Sequence, residues 1–244
     1  VTHMLYEILR AADLEVLLGG NIRGVSTLAL LPYITNDTIA LFELDSWQCR
    51  GFGDIKKSPN VAVFTTFYDD HLNFYHQDRA RYLDDKAQIF LHQESSDTLV
   101  ISTQVAEVLT SYKSSIRAET HVASADTLPK GWKLTVPGEH NRLNAALALE
   151  AARALGIEDE VSRAALEAFA GVPGRLELVR EVGGVKIYND TTATTPEATL
   201  AALATFAPKN TILIAGGADK NLNITTLAYA MGKCKKVILL PGTG

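Results

Sequence analysis

The chain has 244 residues, 47% of them hydrophobic and 21% charged, which is enough to bury the core of one large domain or two. Its formal net charge of -5 and the lack of a long Lys/Arg run give no electrostatic footprint for nucleic acid or an anionic membrane. Two cysteines far apart in sequence and the lack of an apolar run of ~18 residues exclude a disulfide scaffold and a transmembrane helix, so we expect a cytoplasmic protein.

The predicted elements are helices that alternate with short apolar strands. Residues 1–12 carry apolar side chains at helical spacing, so the chain starts inside an amphipathic helix and we expect further residues before Val1. Strands are predicted at 15–18, 38–44, 60–66, 98–102, 185–189, 211–215 and 236–240, and helices at 82–91, 144–155, 161–169 and 196–206. Short continuous apolar runs are typical of strands covered on both faces. The pattern therefore predicts an α/β fold with mainly parallel sheet.

Gly-Val-Pro-Gly at 171–174 is the strongest break in the chain, because it follows a predicted helix and precedes a new succession of strand, helix and strand. It predicts one domain at 1–172 and a second at 173–244. The segment 104–137 is less periodic, with a β-like piece at 132–136, and could form an antiparallel flank. Pro-Gly-Thr-Gly at 241–244 follows the last predicted strand, and we expect the sheet to continue beyond it.

Polar residues follow two of the predicted strands. Ligands of open α/β sheets bind outside the carboxyl ends of the strands. Glu43 closes one apolar run, where the alternative to a ligand-binding role is a carboxylate solvated at the rim of the sheet. Asp69, Asp70 and His71 follow another strand, where the two acids could simply cap the next helix. Such a corner suits Mg²⁺ only where substrate oxygens complete its octahedron.

Three further segments have generic interpretations when each is taken alone. Lys86 lies in a helical pattern and is by default a surface lysine. The stretch 138–144 precedes an Ala/Leu-rich helix, where an Asn is ordinarily an N-cap. The stretch 189–196 places hydroxyls and a proline between a strand and a helix, which suits backbone N–H groups that face an anion.

Taken together and in this order, these segments resemble the Mur ligase family of ATP-dependent amide-forming enzymes, over almost the whole chain. The matching segments are GGNI at 19–22, ELDSWQ at 43–48, DHL at 70–72, Lys86, GEHNRLN at 138–144, VPGRLE at 172–177, DTTAT at 190–194 and GGADK at 216–220. The first and the last two are most similar to the branch of the family that adds D-glutamate. Alternatives are another Mur ligase, a folylpolyglutamate synthase-like ligase, or a non-catalytic Mur-ligase-like module.

The resemblance implies a central ATP-binding domain followed by the first part of a Rossmann-like domain. It implies that ATP activates the carboxylate of UDP-N-acetylmuramoyl-L-alanine as an acyl phosphate, which the amine of D-glutamate attacks, in peptidoglycan precursor synthesis. It also implies a cytoplasmic monomer without nucleic-acid partners or membrane insertion. Glu43, His71 and a carbamylated Lys86 would hold Mg²⁺, with His71 and Lys86 as the catalytic residues.

The resemblance also assigns substrate contacts. Asn141 and Asn144 would face the adenine of ATP, Arg175 its phosphates and Asp190 its ribose. The resemblance assigns Thr194 and Lys220 to the carboxylates of D-glutamate. It assigns Asn21 and Gln48 to the muramoyl substrate. A turn residue and a solvated side chain are the alternatives for the last two.

The chain departs from the family pattern at several points. No G-x-x-x-x-G-K-[ST] phosphate loop occurs, although family members carry one just before the first helix, so we expect a fragment truncated at both ends. The smaller departures are Arg23, Asp45 in place of a hydroxyl, Asn73 in place of an acid, and Thr192 where some relatives have Lys.

Overall fold

The computed structural model describes residues 1–242 and shows two compact units. The first consists of Val1–Phe67, Ala80–Leu134 and Arg142–Phe169, and the second of Tyr68–Arg79, Thr135–Asn141 and the described part of Ala170–Gly244. The predicted domain boundary at 172–173 lies close to the start of the last of these segments. Thr243 and Gly244, the end of the Pro-Gly-Thr-Gly segment, lie outside the described residues.

The chain alternates helices and strands up to residue 168. The elements are α1 (Thr2–Ala11), β1 (Val16–Gly20), β2 (Ile39–Glu43), α2 (Ser46–Asp54), β3 (Val61–Phe64), α3 (Arg79–Ala87), β4 (Thr98–Ser102), α4 (Thr103–Val108), β5 (Glu119–Ala123), α5 (Glu139–Ala154) and α6 (Asp159–Ala168). Strands β1 and β2 pair in parallel, and β3, β4 and β5 form a second parallel sheet in that order. Parallel strands need covering helices on their faces, which the alternation supplies.

The core of the first unit is built from strand β4 and helices α1, α5 and α6. Leu99 and Val100 of β4 are fully buried, as their apolar run predicts. Helix α5 is rich in alanine and leucine, and its residues 145–149 are all fully buried. A helix that is apolar around most of its circumference is typical of a buried core element. Helix α1 packs on α6 through a stripe that includes Ile8 and Leu9, both at 0% exposure.

The second unit contains a hairpin and a parallel strand pair. Its elements are β6 (Glu177–Val182), β7 (Val185–Asn189), α7 (Pro196–Thr205), β8 (Ile212–Ala215), α8 (Thr225–Met231) and β9 (Lys236–Leu239). Strands β6 and β7 are antiparallel and are joined by Gly183 and Gly184, whose φ angles of 56° and 76° suit a two-residue hairpin turn. Strands β8 and β9 pair in parallel. The predicted α/β fold with mainly parallel sheet is confirmed.

The segment 104–137 is where the sequence-based prediction was wrong. No strand is assigned to 132–136 in the described structure, because Pro129 accepts a hydrogen bond from the backbone of Trp132 in a turn. The segment's actual strand, β5, lies parallel to β4, so the antiparallel flank is also wrong. Its Glu-Thr-His-Val-Ala sequence leaves three of its five residues exposed and therefore lacks the apolar run of the other strands.

Three helices also begin earlier than predicted, α6 by two residues and the other two by more. Helix α3 begins at Arg79 rather than at residue 82, and α5 begins at Glu139 rather than at Asn144. Asn144 is therefore an interior helical residue and is not an N-cap. None of the helices within residues 1–242 is both long enough and apolar enough to cross a membrane.

Candidate active site

The carboxyl ends of β1 and β2 meet at Gly20 and Glu43, which are register partners in the parallel pair. The backbone N–H of Asn21 donates to the carbonyl oxygen of Glu43 at 2.6 Å. Gly20 has a φ of +85°, and a Cβ at this position would lie 2.0 Å from that same oxygen. Only glycine allows this approach. The Gly-Gly-Asn segment is thus the local reason why Asn21 and Glu43 share one sheet edge.

Helix α2 follows this edge directly and begins with a capping box. The Asp45 carboxylate accepts the Gln48 backbone N–H at 2.8 Å, and the Gln48 side-chain oxygen accepts the Asp45 backbone N–H at 3.1 Å. Asp45 therefore serves as well as the hydroxyl it replaces, since both residue types are good N-caps. The structure gives Gln48, predicted to bind the muramoyl substrate, a capping role through its oxygen.

Lys86 lies near the end of α3 and lines a cavity of about 60 Å³ in the first unit. The other lining residues are Leu44, Cys49, Val63, Phe64, Thr65, Thr66 and Ile89. The cavity thus contains residues that follow both β2 and β3. The Lys86 Nζ lies 5.9 Å from the ring centroid of Phe64 and 5.2 Å from that of Tyr82. Lys86 is accordingly a pocket residue and differs from an ordinary surface lysine.

Cys49 is the second titratable side chain that lines this cavity. It is 4% exposed, and burial raises the pKa of its thiol to about 11, an effect that the nearby positive charge of Lys86 opposes. A neutral thiol is a poor nucleophile, so Cys49 is a packing residue at neutral pH. Nothing in the sequence around Cys49 distinguishes it from other positions of helix α2.

A second polar cluster in the other unit brings Asp70, His71 and Lys220 together. The Lys220 Nζ lies 2.9 Å from Asp70 Oδ1, and the His71 Nε2 lies 3.5 Å from Asp70 Oδ2. His71 has a φ of +56°, a left-handed conformation that is uncommon outside glycine but that histidine adopts more readily than most residues. The neighbouring Asp69 pairs with Arg79 at 2.7 Å instead. Asp70 was noted in the sequence as a strand-end acid beside His71, but its pairing with Lys220 was not predicted.

The three predicted metal ligands are divided between the two units. Glu43 and Lys86 belong to the first unit and His71 to the second. Among the described residues, no three His, Cys, Asp or Glu side chains form a cluster that could hold a metal. Lysine is not one of these four residue types, so the predicted set of Glu43, His71 and a modified Lys86 stays a prediction.

The segments 174–177 and 189–192 are joined by a hydrogen-bond network within the second unit. Asp190 Oδ1 accepts the backbone N–H of Leu176 at 3.0 Å, and the Arg175 guanidinium donates to the Thr192 carbonyl at 2.7 Å. The Glu177 carboxylate accepts the Gly174 N–H at 2.9 Å. These contacts fix Arg175 and Asp190, both predicted nucleotide ligands, in one local framework.

Burial shifts the pKa values of two residues in or near this network. Desolvation raises the pKa of Asp190. The hydrogen bond from the Leu176 N–H and the positive charge of Arg175 lower it, but by less. The pKa of His140 is lowered by desolvation, against the negative charge of Asp190. The buried Nδ1 of His140 has no hydrogen-bond partner within residues 1–242. His140 is therefore neutral near the carboxylate of Asp190. A hydrogen-bond donor from a ligand would stabilise the charged form of Asp190.

The remaining predicted residues lie at helix starts. Asn141 and Asn144 are three residues apart in the first turns of α5, so they share a helix face, and the Asn141 amide donates to the Pro137 carbonyl at 2.7 Å. Thr194 is exposed immediately before Thr195, whose hydroxyl caps α7 by accepting the Ala198 N–H. Proline at the first helical position completes this helix start.

Two family-level matches cover most of the chain. The Mur ligase middle domain matches residues 1–130, which is more than half of the sequence, and the Mur ligase glutamate ligase domain matches residues 174–243. The chain belongs to the Mur ligase family. The resemblance carried by the strand-end motifs is thereby confirmed.

Similar Mur ligase sequences share one name. The UDP-N-acetylmuramoylalanine--D-glutamate ligase of Roseiflexus sp. (strain RS-1) is 35% identical over 275 residues, covering 99% of this chain and 58% of that protein. The ligase of the same name from Aquifex aeolicus (strain VF5) is 32% identical over 250 residues, covering 99% of this chain and 59% of that protein. The chain thus spans less than two thirds of the length of either relative.

Solved Mur ligase structures agree with the fold. The MurF ligase of Thermotoga maritima in complex with ADP has a TM-score of 0.73 at 20% identity, covering 98% of this chain and 66% of that one. The UDP-N-acetylmuramate-alanine ligase MurC of Thermotoga maritima has a TM-score of 0.68 at 22% identity, covering 98% of this chain and 58% of that one. At these identities the likeness establishes the Mur ligase fold.

Proposed function

We propose that the full-length protein that contains this chain is an ATP-dependent ligase that joins D-glutamate to UDP-N-acetylmuramoyl-L-alanine. The observation that carries the proposal is the 35% identity to a D-glutamate-adding ligase over 99% of this chain. We further propose that residues 1–172 belong to its ATP-binding domain and residues 173–244 to its Rossmann-like domain. The protein would act as a cytoplasmic monomer, and its two free cysteines suit a reducing compartment.

The donor chemistry of the predicted set fits Mg²⁺ if Lys86 is carbamylated and if substrate oxygens complete the octahedron, because His71 offers only a nitrogen. Mg²⁺ prefers oxygen ligands, which Glu43 supplies directly, whereas the ammonium form of Lys86 repels a cation. Carbamylation by CO₂ would convert Lys86 into an oxygen donor. The cavity beside it, of about 60 Å³, exceeds the ~10–15 Å³ needed for one water, so it has room for that added group. We therefore propose Glu43, His71 and carbamylated Lys86 as the Mg²⁺ ligands.

When bound, Mg²⁺ would neutralise charge on the phosphates of ATP. The residues of this chain then have positioning roles. Asp190, whose buried carboxylate keeps one oxygen on the Leu176 N–H, would accept a ribose hydroxyl with the other. Arg175, anchored to the Thr192 carbonyl, would direct its guanidinium to the phosphates. Asn141 and Asn144, on one face of α5, would contact adenine.

The reaction requires the L-alanyl carboxylate and then the D-glutamate amine to be held close to the γ-phosphoryl group of ATP. The L-alanyl carboxylate attacks the γ-phosphorus, ADP leaves, and the acyl phosphate is attacked by the D-glutamate amine with loss of phosphate. Asn21 and Gln48 lie at the sheet edge beside Glu43 and would contact the muramoyl substrate. Thr194 and Lys220 would bind D-glutamate, because an ammonium and a hydroxyl are suitable donors for carboxylates.

The test is an acceptor panel with the full-length protein. Purified enzyme receives ATP, MgCl₂ and, separately, the muramoyl nucleotide with or without its L-alanine. The acceptors are D-glutamate, L-glutamate, L-alanine, L-lysine and meso-diaminopimelate. We expect ADP release and amide product only with UDP-N-acetylmuramoyl-L-alanine plus D-glutamate. Ligation of L-alanine or a diamino acid instead would assign the protein to another branch. If no acceptor leads to ADP release, a non-catalytic module is favoured.

A further inference from the structure

The ion pair between Lys220 and Asp70 joins residues 150 positions apart in sequence. The Lys220 Nζ and Asp70 Oδ1 are 2.9 Å apart, and the two side chains are 33% and 18% exposed, so both are partly buried. Asp70 Oδ1 also accepts the backbone N–H of His71 at 2.9 Å. Asp70 therefore offers a negative oxygen at the lysine that is proposed to bind a carboxylate of D-glutamate.

A ligand that is only an anion would break this ion pair without supplying a new cation for Asp70. A carboxylate that takes Lys220 away from Asp70 leaves a partly buried acid without its lysine, with only the backbone N–H and the ring of His71 close to its oxygens. An unpaired buried charge is costly, because desolvation is no longer compensated. A ligand that carries an ammonium group next to its carboxylate avoids this cost. Its carboxylate replaces Asp70 at Lys220, and its ammonium replaces Lys220 at Asp70.

We propose that Asp70 and Lys220 together bind the zwitterionic head of the acceptor amino acid, with Lys220 at the α-carboxylate and Asp70 at the α-ammonium. The inference rests on the proposed function and adds Asp70 as a specificity-determining residue. The ion pair is the resting form of the site, in which each side chain takes the place of the ligand group that its partner binds. Asp70 thus selects acceptors that carry an α-amine and holds that amine at a fixed position.

The neighbouring acid provides a matched control. Asp69 precedes Asp70 directly and has the same charge, but its partner is Arg79 and its side chain is 51% exposed. Replacement of Asp69 removes one carboxylate from the same turn without touching Lys220. A general electrostatic effect of the turn would therefore act in both variants, whereas recognition of the ammonium would be lost in only one.

The experiment measures binding to the full-length protein by equilibrium dialysis, with a non-hydrolysable ATP analogue and the muramoyl substrate present. The ligands are D-glutamate and glutarate, which is the same dicarboxylate without the amine. We expect Asp70→Asn to weaken D-glutamate binding at least about tenfold while glutarate binding stays equal or improves, because only the ammonium contact is lost. Asp69→Asn should leave both affinities within about twofold, and Lys220→Met should weaken both.

Parallel weakening of both ligands in Asp70→Asn, or no change in either, would overturn the inference. Binding needs no turnover, so an inactive variant still gives a result. If circular dichroism shows that Asp70→Asn is misfolded, Asp70→Ser carries the same comparison of D-glutamate with glutarate, while Lys220→Met tests the carboxylate contact separately. If the acceptor panel identifies a different amino acid, the proposed function fails. The same comparison with that amino acid and its des-amino analogue still tests the pair.

Discussion

Gly20 and Glu43 are held so closely that a methyl group on Gly20 would lie 2.0 Å from the Glu43 carbonyl oxygen. The two residues are partners in the parallel pair β1–β2, and the Asn21 N–H donates to the same carbonyl. A glycine is therefore required for a reason of backbone geometry. Its consequence is functional, because the contact fixes the backbone of a predicted metal ligand.

Gly20→Ala should destabilise the protein well beyond the ordinary cost of alanine at positive φ. The left-handed conformation costs a non-glycine residue roughly 1–2 kcal/mol. The clash with the Glu43 carbonyl should add at least about 2 kcal/mol, because backbone must move. Urea denaturation followed by circular dichroism measures the total.

Gly24→Ala is the control for this prediction. Gly24 has a similar φ of +79°, but a Cβ there would meet nothing within 4 Å. It should show the conformational cost alone. Equal losses of stability in Gly20→Ala and Gly24→Ala would mean that the close approach to Glu43 has no energetic effect.

Asp190→Asn should preserve or raise stability at pH 7 while it impairs the enzyme. Burial raises the folded-state pKa of Asp190 above its ordinary 3.8. The stability from its neutral form is fully present below the unfolded pKa and is lost as pH rises through the folded pKa. Asparagine stays neutral and keeps an oxygen for the Leu176 N–H. In the full-length enzyme the KM for ATP should rise about tenfold or more, because a charged acceptor is lost.

The measurements are urea midpoints at pH 7 and pH 4, together with KM for ATP. The stability advantage of asparagine should shrink at the lower pH, where the wild-type carboxyl begins to be protonated. A variant that is less stable at pH 7 and has an unchanged KM would contradict both parts of the assignment of Asp190.

The sequence predicted strands that carry a continuous apolar run and missed strands that carry none. Strand β4 has the predicted bounds 98–102, because Leu99, Val100 and Ile101 form such a run and are all buried. Strands β5 and β6 were not predicted, since neither shows an apolar run. They are held by pairing, β5 beside β4 and β6 with β7 across a two-residue turn.

The site shows the same division. Motif order predicted Glu43, Lys86, Lys220 and the DHL corner as site residues, because they follow strands or lie in recognisable segments. The pairing of Asp70 with Lys220 was not predictable, since the residues are 150 positions apart and no periodicity links them. The capping role of Gln48 was predictable in principle from Asp45 three residues earlier, a spacing typical of a capping box.

Cys49 should resist thiol reagents in the folded protein, whereas Cys234 should react. Cys49 is 4% exposed and its pKa is raised to about 11 by burial, so the thiolate is scarce at pH 8. Labelling with iodoacetamide at pH 8, followed by peptide mass spectrometry, should modify Cys234 first. In 8 M urea the two sites should react at similar rates, which controls for intrinsic reactivity.

The same thiol should make stability depend on pH in the alkaline range. The folded pKa of about 11 lies above the ordinary 9.0, so stability is lost as pH rises from 9 through 11. Over this range the urea midpoint of the wild type should fall relative to that of Cys49→Val, which does not titrate. Rapid native labelling of Cys49, or parallel pH profiles of the two proteins, would contradict the burial of this side chain.

Lys86→Ala should reduce kcat of the full-length enzyme by on the order of a hundredfold, because the proposed carbamate oxygen is lost. Short carboxylic acids such as acetate should partly restore activity by occupying the vacated space. Lys57→Ala, a change at an exposed lysine, is the control. It should keep the wild-type kcat and should not be stimulated by acetate. Full activity of Lys86→Ala would remove Lys86 from the mechanism, and loss without rescue would leave no support for the carbamate.

The fate of one oxygen atom tests the central claim most directly. UDP-N-acetylmuramoyl-L-alanine labelled with ¹⁸O in its carboxylate is incubated with the full-length protein, ATP, MgCl₂ and D-glutamate, and the products are weighed by mass spectrometry. The proposed ligase transfers one ¹⁸O to inorganic phosphate for each amide formed with D-glutamate. Phosphate that carries no ¹⁸O, or labelled phosphate without the D-glutamyl amide, would contradict it.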